Sequence, residues 1–128
     1  MAQYLREIMT QQPVTVQTSD TITAAARTMR DANIGAVVVI ENGQVCGMLT
    51  DRDIVVRGLA GERDLARTTV GDICSRELTT LSPEDAIGHA VGVMREKAIR
   101  RLPVVEGGRA VGIVTLAGCG NSWVEHGK

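Results

Sequence analysis

The sequence predicts an α+β fold made of two tandem β-α-β-β-α repeats packed about a pseudo-two-fold axis. Three observations carry that expectation. The chain aligns with itself at a shift of 65 positions, so that residues 5–54 match 70–119 without a gap and thirteen aligned positions are identical. In each copy, apolar residues first recur with a helical period and then run on in two strand-sized blocks. Between those blocks stand the turn pairs Asn42-Gly43 and Gly107-Gly108. A repeat this short cannot bury both of its faces alone, so the copies are expected to pack on each other and to form equivalent clefts. Residues 1–60 form the first repeat, 61–69 a charged linker and 70–128 the second repeat.

Each repeat opens with a short amphipathic turn, Leu5 to Met9 and Val70 to Cys74. An alternating segment follows, Val14-Thr15-Val16 and Thr79-Thr80-Leu81, which reads as a brief strand. The first helix of each copy is marked by Ile22, Ala25, Ala26 and Met29 and by Ile87, Ala90, Val91 and Met94, at spacing i, i+3, i+4, i+7. Ser82 as N-cap and Pro83 at the first helical position are expected to start the second of these helices. Two hairpins come next, Ala36–Ile40 with Val45–Leu49 and Leu102–Val105 with Ala110–Val114. Their near-continuous Val, Ile and Leu content implies burial on both faces. The first repeat closes with a helix from Asp51 to about Leu59; its counterpart from Leu116 onward, with Gly118 and Gly120, should be shorter or frayed.

Composition narrows the function. At 128 residues and 44% hydrophobic content, but only 2% aromatic, the core must be aliphatic. A formal net charge of -1, with no block of one sign, gives no field to attract nucleic acid or an anionic membrane. Tyr4 and Trp123 are the only aromatics, which leaves no base-stacking platform for single strands. No segment approaches the roughly 20 apolar residues of a membrane span, and no apolar stretch follows Arg6 and Glu7 as a secretory signal needs, so the cytoplasm is the expected compartment. Cys46, Cys74 and Cys119 lack close pairing and read as small buried hydrophobes. His89 and His126 are far apart, so no zinc spacing appears and no metal is expected. No nucleophile–base order and no glycine-rich phosphate loop stands out, which argues against an enzyme.

The segments Gly47-Met48-Leu49-Thr50-Asp51-Arg52-Asp53-Ile54 and Ala98-Ile99-Arg100-Arg101-Leu102-Pro103-Val104-Val105 resemble the signature pieces of cystathionine β-synthase (CBS) domains, and Gly112-Ile113-Val114-Thr115 repeats the first signature. The resemblance covers residues 5 to about 120, and the stand-alone size and the run Gly47 to Ala60 are similar to small bacterial CBS-pair proteins of the hypoxic-response type. It implies a regulatory sensor, not a catalyst. Such a module would bind an adenosine nucleotide of the AMP or ATP type between the repeats and associate as a homodimer, with a protein target as a further partner. No cofactor would be required. In the family pattern Thr50 and Asp53 hold the ribose, and Arg100 and Arg101 meet the phosphate. Met48 and Ile99 pack on the base, Ser75 and Leu78 lie at the pocket edge, and Leu102 accompanies the arginines.

The other cleft departs from that pattern. There Ile34, Gly35, Ala36 and Thr115 occupy the matching positions, Gly118 stands where Asp53 would be, and Gly35 and Ala36 stand where the arginines would be. It is expected to be a poor nucleotide site. Asp53 also has a purely structural reading, because Thr50 and Asp53 have capping-box spacing and an acid in the first turn suits the helix dipole. The alternative function is accordingly a non-catalytic interaction or structural homodimer without a physiological nucleotide.

Overall fold

The structure, a computed structural model, describes residues 2–76 and 78–119. They form two compact units. One comprises Val14–Leu78; the other comprises Met1–Pro13 together with Thr79–Lys128. The opening turn of each sequence repeat is therefore built into the unit that holds the strands of the other repeat. Spatial unit and sequence repeat do not coincide.

The unit spanning residues 14–78 contains β2 (Thr15–Gln17), helix α1 (Ile22–Ala32), the hairpin β3 (Ala36–Glu41) and β4 (Gln44–Thr50), helix α2 (Asp51–Asp53) with a π-helical continuation (Ile54–Leu59), and helix α3 (Val70–Ile73). Its sheet is mixed, in the order β2-β3-β4, with β2 parallel and β4 antiparallel to β3. The turn residues Asn42 and Gly43 have φ values of 53° and 80°, a left-handed pair suited to a two-residue hairpin. Val37, Val38 and Val39 are all buried, as a strand covered on both faces requires. Val37 and Val39 join Val16, Ile22, Ala25, Met29, Leu49, Val70 and Ile73 in an aliphatic core.

The other unit repeats this plan. It contains β1 (Thr10–Gln11), helix α4 (Ile87–Glu96) and the hairpin β5 (Arg101–Glu106) and β6 (Arg109–Thr115), with sheet order β1-β6-β5. Ala36 pairs with Thr50 as Arg101 pairs with Thr115, and both hairpins slip register at the same place, Val39/Ile40 and Val104/Val105. Gly107 and Gly108 take φ values of 61° and 81°. Ile87, Ala90, Val91 and Met94 all face the core with Leu5, Leu81, Leu102, Val104 and Val114.

Equivalent hydrogen bonds seat the opening turns. The Val70 N–H donates to the Asp20 carbonyl at 2.7 Å and the Leu5 N–H to the Asp85 carbonyl at 3.0 Å; Gly71 donates to Thr18 and Arg6 to Pro83. Each opening segment then adds an edge partner to the hairpin. Met48 and Ser75 exchange both backbone bonds, at 3.1 and 3.0 Å, while Thr10 pairs with Ile113. Glycine permits this approach. A Cβ at Gly47 would overlap the Ser75 carbonyl oxygen, and one at Gly112 would lie 2.6 Å from Met9 Sδ and 3.0 Å from the Thr10 carbonyl oxygen.

Several local expectations are corrected. Helix α4 begins at Ile87 with Ala86 as N-cap, not at Pro83. Ser82 instead closes a turn in which its N–H donates to the Asp85 carboxylate at 2.8 Å and its carbonyl accepts from the Asp85 N–H; the Pro83 and Asp85 carbonyls are taken by Arg6 and Leu5. That turn competes with a helical start. The expected strand at 79–81 is reduced to one bridge, Leu81 with Val104, and β1 was not foreseen. The linker is tied down, since Ile22 and Thr23 donate to the Thr68 and Leu65 carbonyls. Residues 116–119 are helical, and the remainder of the expected closing helix, including Gly120, lies outside the described residues.

Replacing Gly47 with alanine should cost about 1–3 kcal/mol in urea unfolding, because the obstacle is backbone. Replacing Gly92, exposed in α4 with open space around its missing Cβ, should instead gain roughly 0.5–1 kcal/mol. Equal effects at the two positions would show that the close approach at Gly47 does not hold the strand edge.

Candidate functional site

Thr50 ends β4 and caps α2. Its hydroxyl oxygen accepts from the Asp53 N–H at 3.1 Å, and the Asp53 carboxylate accepts through Oδ2 from the Thr50 N–H at 3.0 Å. Both halves of a capping box are thus present, so the structural reading of Asp53 holds. The same geometry fixes the carboxylate in a half-buried position. An ionised carboxylate offers about four acceptor positions. Among the described residues only Oδ2 is engaged, which leaves Oδ1 open to a further donor.

The sheet carries the neighbouring candidates of this unit. The Asp51 N–H donates to the Gly35 carbonyl at 2.9 Å, which ties the start of α2 to the start of β3 beside Ala36. Two residues before Thr50 on the strand, Met48 is bridged to Ser75. The unit therefore brings Thr50, Asp53, Met48 and Ser75 to one end of β4, and Leu78, also half-buried, closes the same unit. Ile34 is exposed and Ala36 is buried in the core.

In the other unit, Ile99 is half-buried and donates from its N–H to the Met94 carbonyl at 2.9 Å. The Arg100 carbonyl accepts from the Leu116 N–H at 2.8 Å, repeating the Gly35–Asp51 bond. Arg100 and Arg101 are exposed, and among the described residues neither guanidinium enters a hydrogen bond or ion pair. Leu102 is 3% exposed and belongs to the aliphatic core, so only its backbone is available to a ligand. Thr115 retains half of the cap: its hydroxyl accepts from the Gly118 N–H at 2.9 Å, with no carboxylate to answer it.

Sequence reasoning missed the surroundings of Ser75. Arg76 pairs with Glu41 at 3.5 Å, and Glu41 accepts from the Thr18 hydroxyl at 3.3 Å. Nothing in the spacing of those residues points to this contact, which exists because the opening turn of the second repeat lies along β4. Burial pushes the thiols of Cys46, Cys74 and Cys119 above their ordinary pKa, which keeps them neutral. His89 is exposed on α4. Among the described residues no three His, Cys, Asp or Glu side chains gather to hold a metal ion.

Known proteins share the sequence and the fold of this chain. The family model for the CBS domain matches twice, over residues 5–60 and 70–118, and the chain belongs to the CBS domain family as a tandem pair. It is 42% identical over 112 residues to the CBS domain-containing protein YhcV of Bacillus subtilis, covering 88% of this chain and 79% of that protein. It is 38% identical over 122 residues to Hypoxic response protein 1 of Mycobacterium tuberculosis, covering 94% and 85%. A crystal structure of Hypoxic Response Protein I with two coordinated zinc ions superposes with a TM-score of 0.84 at 37% identity, over 92% of this chain and 97% of that one. The CBS domain pair of protein MJ0100, in complex with 5′-methylthioadenosine and S-adenosyl-L-methionine, superposes with a TM-score of 0.85 at 25% identity, over 96% and 97%. CBS pairs are regulatory modules that commonly bind adenosine ligands.

Thr50→Ala should lose about 0.5–2 kcal/mol of stability in thermal or urea unfolding. Thr115→Ala should lose less, because its box is already incomplete. A larger loss at Thr115 would mean that the carboxylate of Asp53 adds nothing to the cap.

Proposed function

We propose that this protein is a non-catalytic sensor whose CBS pair binds an adenosine nucleotide of the AMP or ATP type between its repeats. In this reading the free side of the Asp53 carboxylate accepts from the ribose hydroxyls, with Thr50 beside it. Arg100 and Arg101 supply charge-assisted hydrogen bonds to phosphate. Met48 and Ile99 pack on the base, with Ser75, Leu78 and the backbone of Leu102 at its edge. The observation that carries the proposal is the pairing of unused capacity. A fixed carboxylate has one oxygen uncommitted, and two guanidinium groups lack partners among the described residues. The family and the adenosine ligands of the MJ0100 pair support the same class of ligand. The arrangement around Ile34, Gly35, Ala36 and Thr115 has neither acid nor arginines and is proposed as the weak counterpart.

A second observation favours self-association. Val55, Val56 and Leu59 are 55%, 53% and 64% exposed on one short segment, an apolar patch of aliphatic side chains. We assign this patch to a homodimer, in keeping with the oligomeric assembly of a related hexameric CBS-CP12 protein, which superposes with a TM-score of 0.87 at 27% identity. No helix among the described residues is long and apolar enough to cross a membrane, and a cytoplasmic location is part of the proposal. A protein target that reads the liganded state would complete the regulatory role.

Calorimetry with AMP, ATP and GTP is expected to show binding of an adenosine nucleotide well below millimolar concentration. Asp53→Ala and the double change Arg100→Ala/Arg101→Ala should each weaken it by about 10- to 100-fold, the equivalent of one charge-assisted bond of roughly 1.5–3 kcal/mol. Absence of binding by every nucleotide would leave the structural homodimer as the function.

Light scattering should give the mass of a dimer for the parent chain, and Val56→Asp/Leu59→Asp should shift it toward the monomer. An unchanged mass would remove the patch from the interface.

A further inference from the structure

The helix that follows Asp53 has an unusual make-up. Asp51–Asp53 is α-helical, with the Ile54 N–H bonded to the Asp51 carbonyl; Ile54–Leu59 is π-helical, with the Ala60 N–H reaching back five residues to the Val55 carbonyl at 2.8 Å. A π turn holds one residue more than an α turn, and such bulges occur mostly as single turns at functional places. Here the surplus residue sits between two anchors. The near anchor is the reciprocal Thr50–Asp53 cap. The far anchor is set by Gly58 and Arg57. A Cβ at Gly58 would lie 3.0 Å from Leu65 Cδ2 and 3.7 Å from Ile73 Cδ1, and Arg57 Nη1 donates to the Ile73 carbonyl at 3.2 Å. The segment itself has weak preference for any helix, because Ile54, Val55 and Val56 are β-branched in succession and Gly58 follows. Its exposed members Val55, Val56 and Leu59 form the apolar patch described above.

We propose that Ile54–Leu59 is a ligand-responsive register element. Occupation of the Asp53 carboxylate displaces the near anchor, and the segment absorbs the displacement by exchanging its π turn for an α turn. That exchange shifts the helical register by one residue, a rotation of about 100°, one residue's step around an α-helix. The far end is held by Gly58 and Arg57, so the rotation falls on the residues between the anchors and re-aims Val55 and Val56. A small event at a carboxylate thereby becomes a change in which apolar side chains the segment presents. The inference rests on the nucleotide reading of Asp53 for its trigger, and on geometry within one unit for its moving part.

Hydrogen-exchange mass spectrometry on the whole chain tests it, with AMP as the probe and calorimetry in parallel. AMP should change the exchange rate of amides in residues 54–61 by at least about 5-fold, the lower range of allosteric coupling. A chain with Val56 deleted, which removes the surplus residue, should lose this response while still binding AMP. Bound AMP with unchanged exchange in 54–61 overturns the register element and leaves the nucleotide site standing. If calorimetry shows no AMP binding, the nucleotide reading falls and a ligand-free arm decides the inference. Asp53→Asn weakens the near anchor and should raise exchange in 54–61 selectively, and unchanged exchange there in the folded variant overturns the proposal. The same variant keeps the test available should the deletion fail to fold.

Discussion

The close approach of the Ser75 backbone to Gly47 underlies both the sheet and the candidate site. At Gly47 a single methyl group would meet the Ser75 carbonyl oxygen, so the pair of backbone bonds between Met48 and Ser75 needs glycine there. That contact places Ser75 beside Met48, two residues before the Thr50 cap. The equivalent contact at Gly112 seats β1 on β6. The glycine shared by both repeats is therefore a packing requirement of the duplicated plan before it is part of any binding motif.

The cap at Thr50 commits one side of a carboxylate and leaves the other side free. The structural role uses one carboxylate oxygen and a hydroxyl, and it orients the other oxygen without consuming it. The second repeat shows the same hydroxyl cap with glycine in place of the acid, so the helix start survives there without the carboxylate. At this cap the two copies differ by one side chain, Asp53 against Gly118.

The apolar residues fall into two populations with different consequences. Those spaced at i, i+3, i+4 and i+7 on α1 and α4, together with the hairpin valines, are spent in two separate aliphatic cores. Val55, Val56 and Leu59 are not covered by their own unit, although they are as apolar as the buried valines. They lie on the segment whose backbone departs from regular α geometry. Weak helical preference, exposure and position directly after the cap coincide in six residues, and it is this coincidence that makes the segment a place where a local event can alter a surface.

The sequence by itself determined the duplication, the apolar faces of α1 and α4, both hairpins and the cap at Thr50, because each depends on short-range periodicity or on a turn pair whose conformation is local. It also marked the chemistry-bearing residues of the candidate site, Asp53 and the Arg100-Arg101 pair, through the family resemblance. Tertiary structure alone decided that residues 2–13 complete the unit of the second repeat's hairpin, and that residues 70–78 complete that of the first. The shift of 65 positions is silent on which copy an opening turn will join, since the bonds from Leu5 to Asp85 and from Val70 to Asp20 connect residues distant in the chain. The start of α4 four residues beyond Pro83 has the same origin: the Pro83 and Asp85 carbonyls are claimed by a distant segment, and local preference yields to that long-range bond.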